Sequence, residues 1–186
     1  MKNFCLTLFA FILSATISFG QKYFTKSGNI NFDATSSSSP EKIEGVNRTV
    51  TCVLDTKTGN IQFAALMKGF EFEKALMEEH FNENYVESEK FPRAEFKGAV
   101  SDNGKVNYAK DGTYTVKVSG KLTMHGETKD VETEGKITVQ GGKISAVAGF
   151  NVLLADFKIA IPGLVADKVS KTAKINVTCS LELLKS

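Results

Sequence analysis

The run Thr113-Tyr114-Thr115-Val116-Lys117-Val118-Ser119-Gly120-Lys121-Leu122-Thr123-Met124-His125-Gly126 alternates apolar or small residues with polar ones until its last two positions. Successive side chains of a strand point to opposite faces, so this run reads as a strand with one buried and one solvated face. His125-Gly126 fits a two-residue hairpin turn, because such turns need positive φ, which glycine adopts freely and histidine tolerates. Val131, Thr133, Gly135, Ile137 and Val139 carry the pattern onto the return strand. A hairpin with one apolar face is the unit of an antiparallel sheet.

The same period extends in both directions. Upstream, Ile30, Phe32 and Ala34 alternate before the polar run 35–40, and Val46, Arg48, Val50, Cys52 and Leu54 share one face of the next strand. The turn cluster Lys57-Thr58-Gly59-Asn60 leads to Ile61, Phe63, Ala65 and Met67 on one side, which makes a hairpin. Between residues 70 and 81 the spacing of Phe72, Ala75, Leu76, Glu79 and His80 predicts one short helix. Phe91-Pro92 closes the irregular segment after it, since proline biases the residue before it toward extended geometry. Phe96, Gly98 and Val100 then line a further strand. Downstream, Gln140-Gly141-Gly142-Lys143 turns into Ile144, Ala146, Ala148, Phe150, Val152 and Leu154, and a longer connection precedes the last strand, with Ala173, Ile175, Val177, Cys179, Leu181 and Leu183 on its apolar face.

These segments amount to about eight strands, one short helix and a rim segment. A sandwich or an up-and-down barrel would bury their faces, and a final full-length strand able to pair with the first favours closure. The predicted fold is therefore all-β, a closed antiparallel barrel. Eight strands leave an interior that either fills with side chains or holds one slender ligand. Ala65, Gly98, Gly120, Gly135, Ala146, Ala148 and Ala173 sit on inward faces where a filled core would want larger residues, which predicts an apolar cavity. Filling of that space by Phe63, Phe96, Tyr114 and Phe150 is the competing expectation.

The N-terminus is set apart from the fold. Lys2 precedes a largely apolar run that ends at Ser18-Phe19-Gly20, so residues 1–20 read as a signal peptide cleaved before Gln21, and residues 21–186 as one domain. The apolar run is short for a membrane span and no stop-transfer pattern follows, so no transmembrane span is expected after cleavage. Export implies a periplasmic or secreted location. Lys and Arg number 23 against 21 Asp and Glu, with the signs interspersed, which excludes the basic field that nucleic acid would require. Cys52 and Cys179 remain after cleavage, and either a disulfide or two buried thiols fits them. A homodimer stays open.

Motifs of catalysis are scarce. The chain carries no Gly-x-Ser-x-Gly elbow, no phosphate-binding glycine loop and no Cys-x-x-Cys pair. The two histidines, His80 and His125, stand on different elements, so neither a metal site nor a cofactor is expected. The acidic run Glu78, Glu79, Glu83, Glu87 and Glu89 reads as a solvated face.

Three stretches resemble a known family. Glu83-Asn84-Tyr85-Val86-Glu87-Ser88-Glu89-Lys90-Phe91-Pro92-Arg93-Ala94-Glu95-Phe96-Lys97-Gly98 is similar to the middle signature of the YceI-like lipid/polyisoprenoid-binding proteins. Gly120-Lys121-Leu122-Thr123-Met124-His125-Gly126-Glu127-Thr128-Lys129 resembles the second signature and Asp156-Phe157-Lys158-Ile159 the third, in the family's order. The resemblance implies a bacterial, usually periplasmic, lipocalin-like barrel without catalytic activity that holds a long isoprenoid or similar amphiphilic lipid in its lumen. Around the helix the chain departs from the pattern. Members carry an aspartate-rich stretch and a Phe-Phe-Asp segment there, whereas this chain has Met77-Glu78-Glu79-His80-Phe81 and Asn84-Tyr85.

On this reading Phe63, Phe96, Tyr114, Val116 and Phe150 are candidate lumen contacts. Phe72, Leu76, Phe81, Tyr85 and Phe91 are candidate rim contacts, with His125 as a polar contact. Two further functions compete with the non-catalytic carrier: a filled barrel serving stress response or interaction, and a lipid-acting hydrolase or isomerase using His125.

Overall fold

Nine antiparallel strands carry the alternation in the computed structural model, which describes residues 21–184. The expected signal segment, residues 1–20, lies outside the described residues. The strands are β1 (Lys22–Thr35), β2 (Glu44–Asp55), β3 (Asn60–Leu66), β4 (Phe70–Phe72), β5 (Arg93–Val100), β6 (Gly112–Met124), β7 (Glu127–Gln140), β8 (Lys143–Leu153) and β9 (Val169–Leu183). β1 pairs on one edge with β9 and on the other with β2, and the circuit β1-β2-β3-β5-β6-β7-β8-β9 closes an eight-stranded barrel. The three-residue β4 lies on β2 beside the circuit. The predicted two-residue turn is present, with His125 at φ 51° and Gly126 at φ 78°. The outward positions of β6 and β7 include Lys117, Lys121, Glu132 and Glu134, all exposed. An apolar interior with a charged exterior is the reverse of a membrane-spanning barrel.

The helical region differs from expectation. Phe70–Phe72 is extended because its backbone pairs with residues 45–47 of β2. The helix α1 (Ala75–His80) begins only after it and widens into a π-helical turn over Phe81–Tyr85, where the Val86 amide reaches back to the Phe81 carbonyl at 3.0 Å. Phe72 and Phe81 thereby come within 4.9 Å of each other, and Phe81 also meets Phe70 and Phe32. These rings are one aromatic cluster at the barrel's end.

β2 corrects a second expectation. Its ladder to β1 shifts register between Val50 and Asn47, so the inward face passes from Val50, Cys52 and Leu54 to Asn47 and Gly45. Such an extra residue locally reverses which side chains face the core. Arg48 consequently points to solvent, where it pairs with Glu71 at 2.5 Å, and Asn47 is fully buried. Its Nδ2 donates to the Leu66 carbonyl at 2.9 Å, and its Oδ1 accepts from the Thr49 amide at 2.9 Å and hydroxyl at 3.0 Å.

Two cores divide the interior. At the end bearing the turns around residues 57, 103 and 141, Leu54, Ile61, Val116, Ile137, Ile144 and Leu181 pack solidly. Tyr108 closes this end from the 101–111 loop, its hydroxyl donating to Asn103 Oδ1 at 2.8 Å while burial pushes its pKa up to about 12. Cys52 and Cys179 lie in this core as free thiols. The Cys52 thiol donates to Cys179, and that bond together with burial pushes its pKa up. The second core, at the α1 end, contains Phe70, Phe81, Leu122, Val152, Leu154 and Phe157.

Three strained backbone positions meet beside the second core. Glu87, His125 and Lys158 are the non-glycine residues with positive φ among the described residues. His125 Nε2 lies 2.9 Å from Glu87 Oε2, and its Nδ1 lies 2.8 Å from the Phe157 carbonyl. A backbone carbonyl only accepts, so Nδ1 donates to Phe157 while Nε2 makes the bond to Glu87. Phe91 packs edge-on against the imidazole at 4.6 Å, and a Cβ on Gly126 would come within 2.8 Å of the Phe91 ring. Lys158 pairs in turn with Glu127, and the bond to Lys158 holds the Glu127 carboxyl below its usual range. The β6–β7 turn is thus tied to the segments around residues 87 and 157.

Two losses are expected from these buried polar groups. Asn47→Ala leaves the Leu66 carbonyl without its side-chain donor and should cost about 1–3 kcal/mol in urea denaturation. His125→Ala should cost a similar amount, roughly 1–3 kcal/mol, because the Phe157 carbonyl loses its donor and Glu87 its side-chain partner. The slope of each denaturation curve should stay that of the parent protein.

Candidate functional site

Several inward aromatic and aliphatic residues keep accessible surface although they point into the barrel, among them Phe63, Phe96, Phe150 and Ile175. They keep it because they face a cavity of about 510 Å³ in the α1 half of the barrel. That volume falls in the range of small-molecule sites, about 300–1,000 Å³. Its walls are mostly apolar, and every strand of the circuit except β2 contributes to them.

The cavity reaches the surface between the 36–43 loop, α1 and the segment 159–168, where Glu41, Lys74, Leu76, His80 and Lys168 line it. Leu76 is 61 % exposed at this opening. Lys74 forms an ion pair with Glu41 across the mouth, and that hydrogen bond holds the Glu41 carboxyl below its usual range and pushes the Lys74 ammonium up. Lys168 adds its charge to the same carboxylate. Both partners of the pair are well solvated, so it orders the opening more than it stabilises the fold.

The candidate residues divide by position. Phe63, Phe96 and Phe150 face the cavity from the walls, and Phe72, Leu76, Phe81 and Tyr85 face it from β4, α1 and the π-helical turn. Burial raises the pKa of the Tyr85 phenol. Tyr114 and Val116 belong to the solid core at the opposite end, where the Tyr114 hydroxyl donates to the Asn107 carbonyl at 3.3 Å. Phe91 and His125 stand behind the cavity wall, packed on each other. Both ring nitrogens of His125 are already engaged, which leaves neither directed at a bound molecule.

Other wall residues come from segments read only as connections. Ile43, Ile159, Val165 and Lys168 close the mouth from the two long loops, and Ile30 and Phe32 come from β1. Alternation marks inward strand positions, but it gives no information on which loop folds over an open end. Of all these loop residues, Ile159 alone lay within a quoted stretch. Among the described residues no group of three or more His, Cys, Asp or Glu is placed to hold a metal ion. No helix among them is long and apolar enough to cross a membrane.

The geometry also brings the three quoted stretches together. Tyr85 and Val86 from the first, Leu122 and Met124 from the second and Ile159 from the third line the cavity, while their neighbours Glu87, His125 and Phe157 form the tie behind it. One set of neighbours shapes the lip and the other fixes it.

Comparison with known proteins agrees with this architecture. No curated protein matches the chain. Among solved structures, a polyisoprenoid-binding domain from Saccharophagus degradans, implicated in plant cell wall breakdown, superposes with a TM-score of 0.76 at 14 % identity, over 89 % of this chain and 100 % of that one. BcnA of Burkholderia cenocepacia gives 0.65 at 15 % identity, over 83 % and 95 %. The YCEI protein of Campylobacter jejuni gives 0.51 at 17 % identity, over the full length of both chains. At these identities the structures establish a shared fold. The family description "YceI-like domain" matches residues 15–181, nearly the whole chain, and the protein belongs to the YceI-like family.

Proposed function

We propose that this protein is an exported, non-catalytic binding protein or carrier for a single-chain isoprenoid or similar amphiphilic lipid, held with its tail in the barrel. The observation that carries the reading is the cavity itself. Its walls are apolar apart from Glu95 on β5 and Thr133 on β7, and Glu41, Lys74, His80 and Lys168 gather at the opening. An amphiphile matches that polarity gradient with its tail inward and its head group at the mouth. Export follows from the signal-like segment 1–20, which suits a periplasmic location. The S. degradans domain of like fold is a polyisoprenoid-binding one, which supports the ligand class.

The size is informative. At roughly 30 Å³ for each water-sized group, a cavity of about 510 Å³ takes some 17 carbons, or three to four isoprene units. Burial at about 0.8 kcal/mol per carbon gives about 14 kcal/mol gross, which exceeds most of the range of about 4–15 kcal/mol that association costs. Tight binding therefore needs no more chain than the cavity admits. A longer isoprenoid would leave its remaining units at the mouth, beside the exposed Leu76.

Native mass spectrometry of protein purified from its source should show a stoichiometric hydrophobic guest that organic solvent extracts. Refilling the extracted protein at about 100 times Kd should raise Tm by roughly 5–10 °C. Ala148→Asp places a carboxylate on the apolar wall and should weaken binding at least tenfold, since the charge must be desolvated when the tail enters. Guest-free protein that takes up no lipid probe would remove the carrier reading.

A further inference from the structure

We infer that Phe96 sets the length of tail this barrel accepts, by flooring the cavity on a seat made from two glycines. The inference rests on the binding reading above and specifies its ligand: one slender chain whose inserted part ends at this ring.

Gly98 on β5 and Gly120 on β6 are directly paired in the sheet. A Cβ on Gly98 would lie 2.3 Å from the Ser119 carbonyl and 2.6 Å from the tip of the Phe96 ring, and one on Gly120 would lie 2.5 Å from the Gly98 backbone and 2.7 Å from the same ring atom. None of these distances is open to a real side chain. The ring of Phe96, two residues before Gly98 on the same face, folds down along the strand and fills the hollow that the missing side chains leave. The small inward residues at 98 and 120 are therefore room for a ring rather than room for a ligand. Phe63, paired with Phe96 on β3, braces it at 6.1 Å between ring centroids.

The position of the ring along the barrel matters more than its seat. Ile30, Phe96, Phe150 and Ile175 are half-buried and pack against both cores, and all four line the cavity. They form the partition between the solid end and the hollow end. Ile30, Phe150 and Ile175 stand on the neighbouring strands β1, β8 and β9. Phe96 stands across the barrel from them on β5. Of the four, Phe96 is the one whose ring lies over glycine backbone, so trimming it leaves space behind it. Beyond it lie the bare backbone of the glycine pair and the solid core, whose Val118 and Val177 also line the cavity.

A series of saturated fatty acids from ten to twenty-two carbons, competing with a fluorescent apolar probe, reads the depth directly. In the wild-type protein each added methylene should tighten binding roughly fourfold until the tail meets the ring, after which affinity should level off. Phe96→Leu should move that break about 1–2 carbons longer and Phe96→Ala about 3–5 longer, since six ring carbons are removed. Ala148→Leu, which adds bulk to the opposite wall, should move it about 2–3 carbons shorter. Should Phe96→Ala fail to fold, Phe96→Leu and Ala148→Leu still move the break in opposite directions. A break at one common length in the folded variants, with binding intact, overturns the ruler and leaves the carrier standing. Absence of binding at every length in the wild-type protein overturns both.

Discussion

The whole arrangement depends on β1 being hydrogen-bonded along both edges. Without its pairing to β9 and β2 the sheet would have two open edges, and its apolar face would need a second layer to cover it. With closure the inner face covers itself, and the question becomes how much of the interior the side chains fill. An eight-stranded barrel is at the size where either answer is available. This one gives both, solid at one end and hollow at the other. Closure also requires β1 and β2 to bend, and the register shifts between Gly28, Ile30, Val50 and Asn47 supply that bend.

Much of this was legible in the sequence because alternation is a direct imprint of one-sided burial. From β5 onward the inward residues fall where the pattern puts them, except Leu183, which is exposed at the end of β9, and the His125-Gly126 turn adopts the positive φ its residue types predict. The limits are equally physical. A bulge inserts one residue without changing the composition around it, so Val46 and Arg48 read as inward and Asn47 as outward until the pairing with β1 and β4 is known. Phe72 sits at helical spacing from Leu76, yet the edge of β2 holds it extended. Gly98 and Gly120 read as empty volume because a sequence does not show that Phe96 lies over them. The loops that close the mouth carry no period at all.

The family's signature stretches record a structural need more than a chemical one. Three left-handed non-glycine residues within one small region carry backbone strain, and strain persists where surrounding contacts over-determine it. Here the imidazole of His125 supplies those contacts, holding an acceptor from each of two other segments. A histidine in a turn within a signature stretch invites a catalytic assignment. Its bonds instead make it a three-way joint, and the cavity residues next to each bonded group inherit its fixed position.

The division of the barrel into a solid and a hollow half has a consequence for how stability is distributed. Backbone amides around Leu54, Ile137 and Leu181 are locked by a packed core that needs no guest, whereas those around α1 and the mouth loops lean on walls that face the cavity. The barrel can therefore open at one end while the other keeps the strands in register. Hydrogen exchange would resolve this as two cooperative units, of which only the one nearer the mouth slows when a lipid is present. Sequence drift at the mouth is correspondingly cheap, because a changed lip alters what the barrel holds without unfolding what holds the barrel.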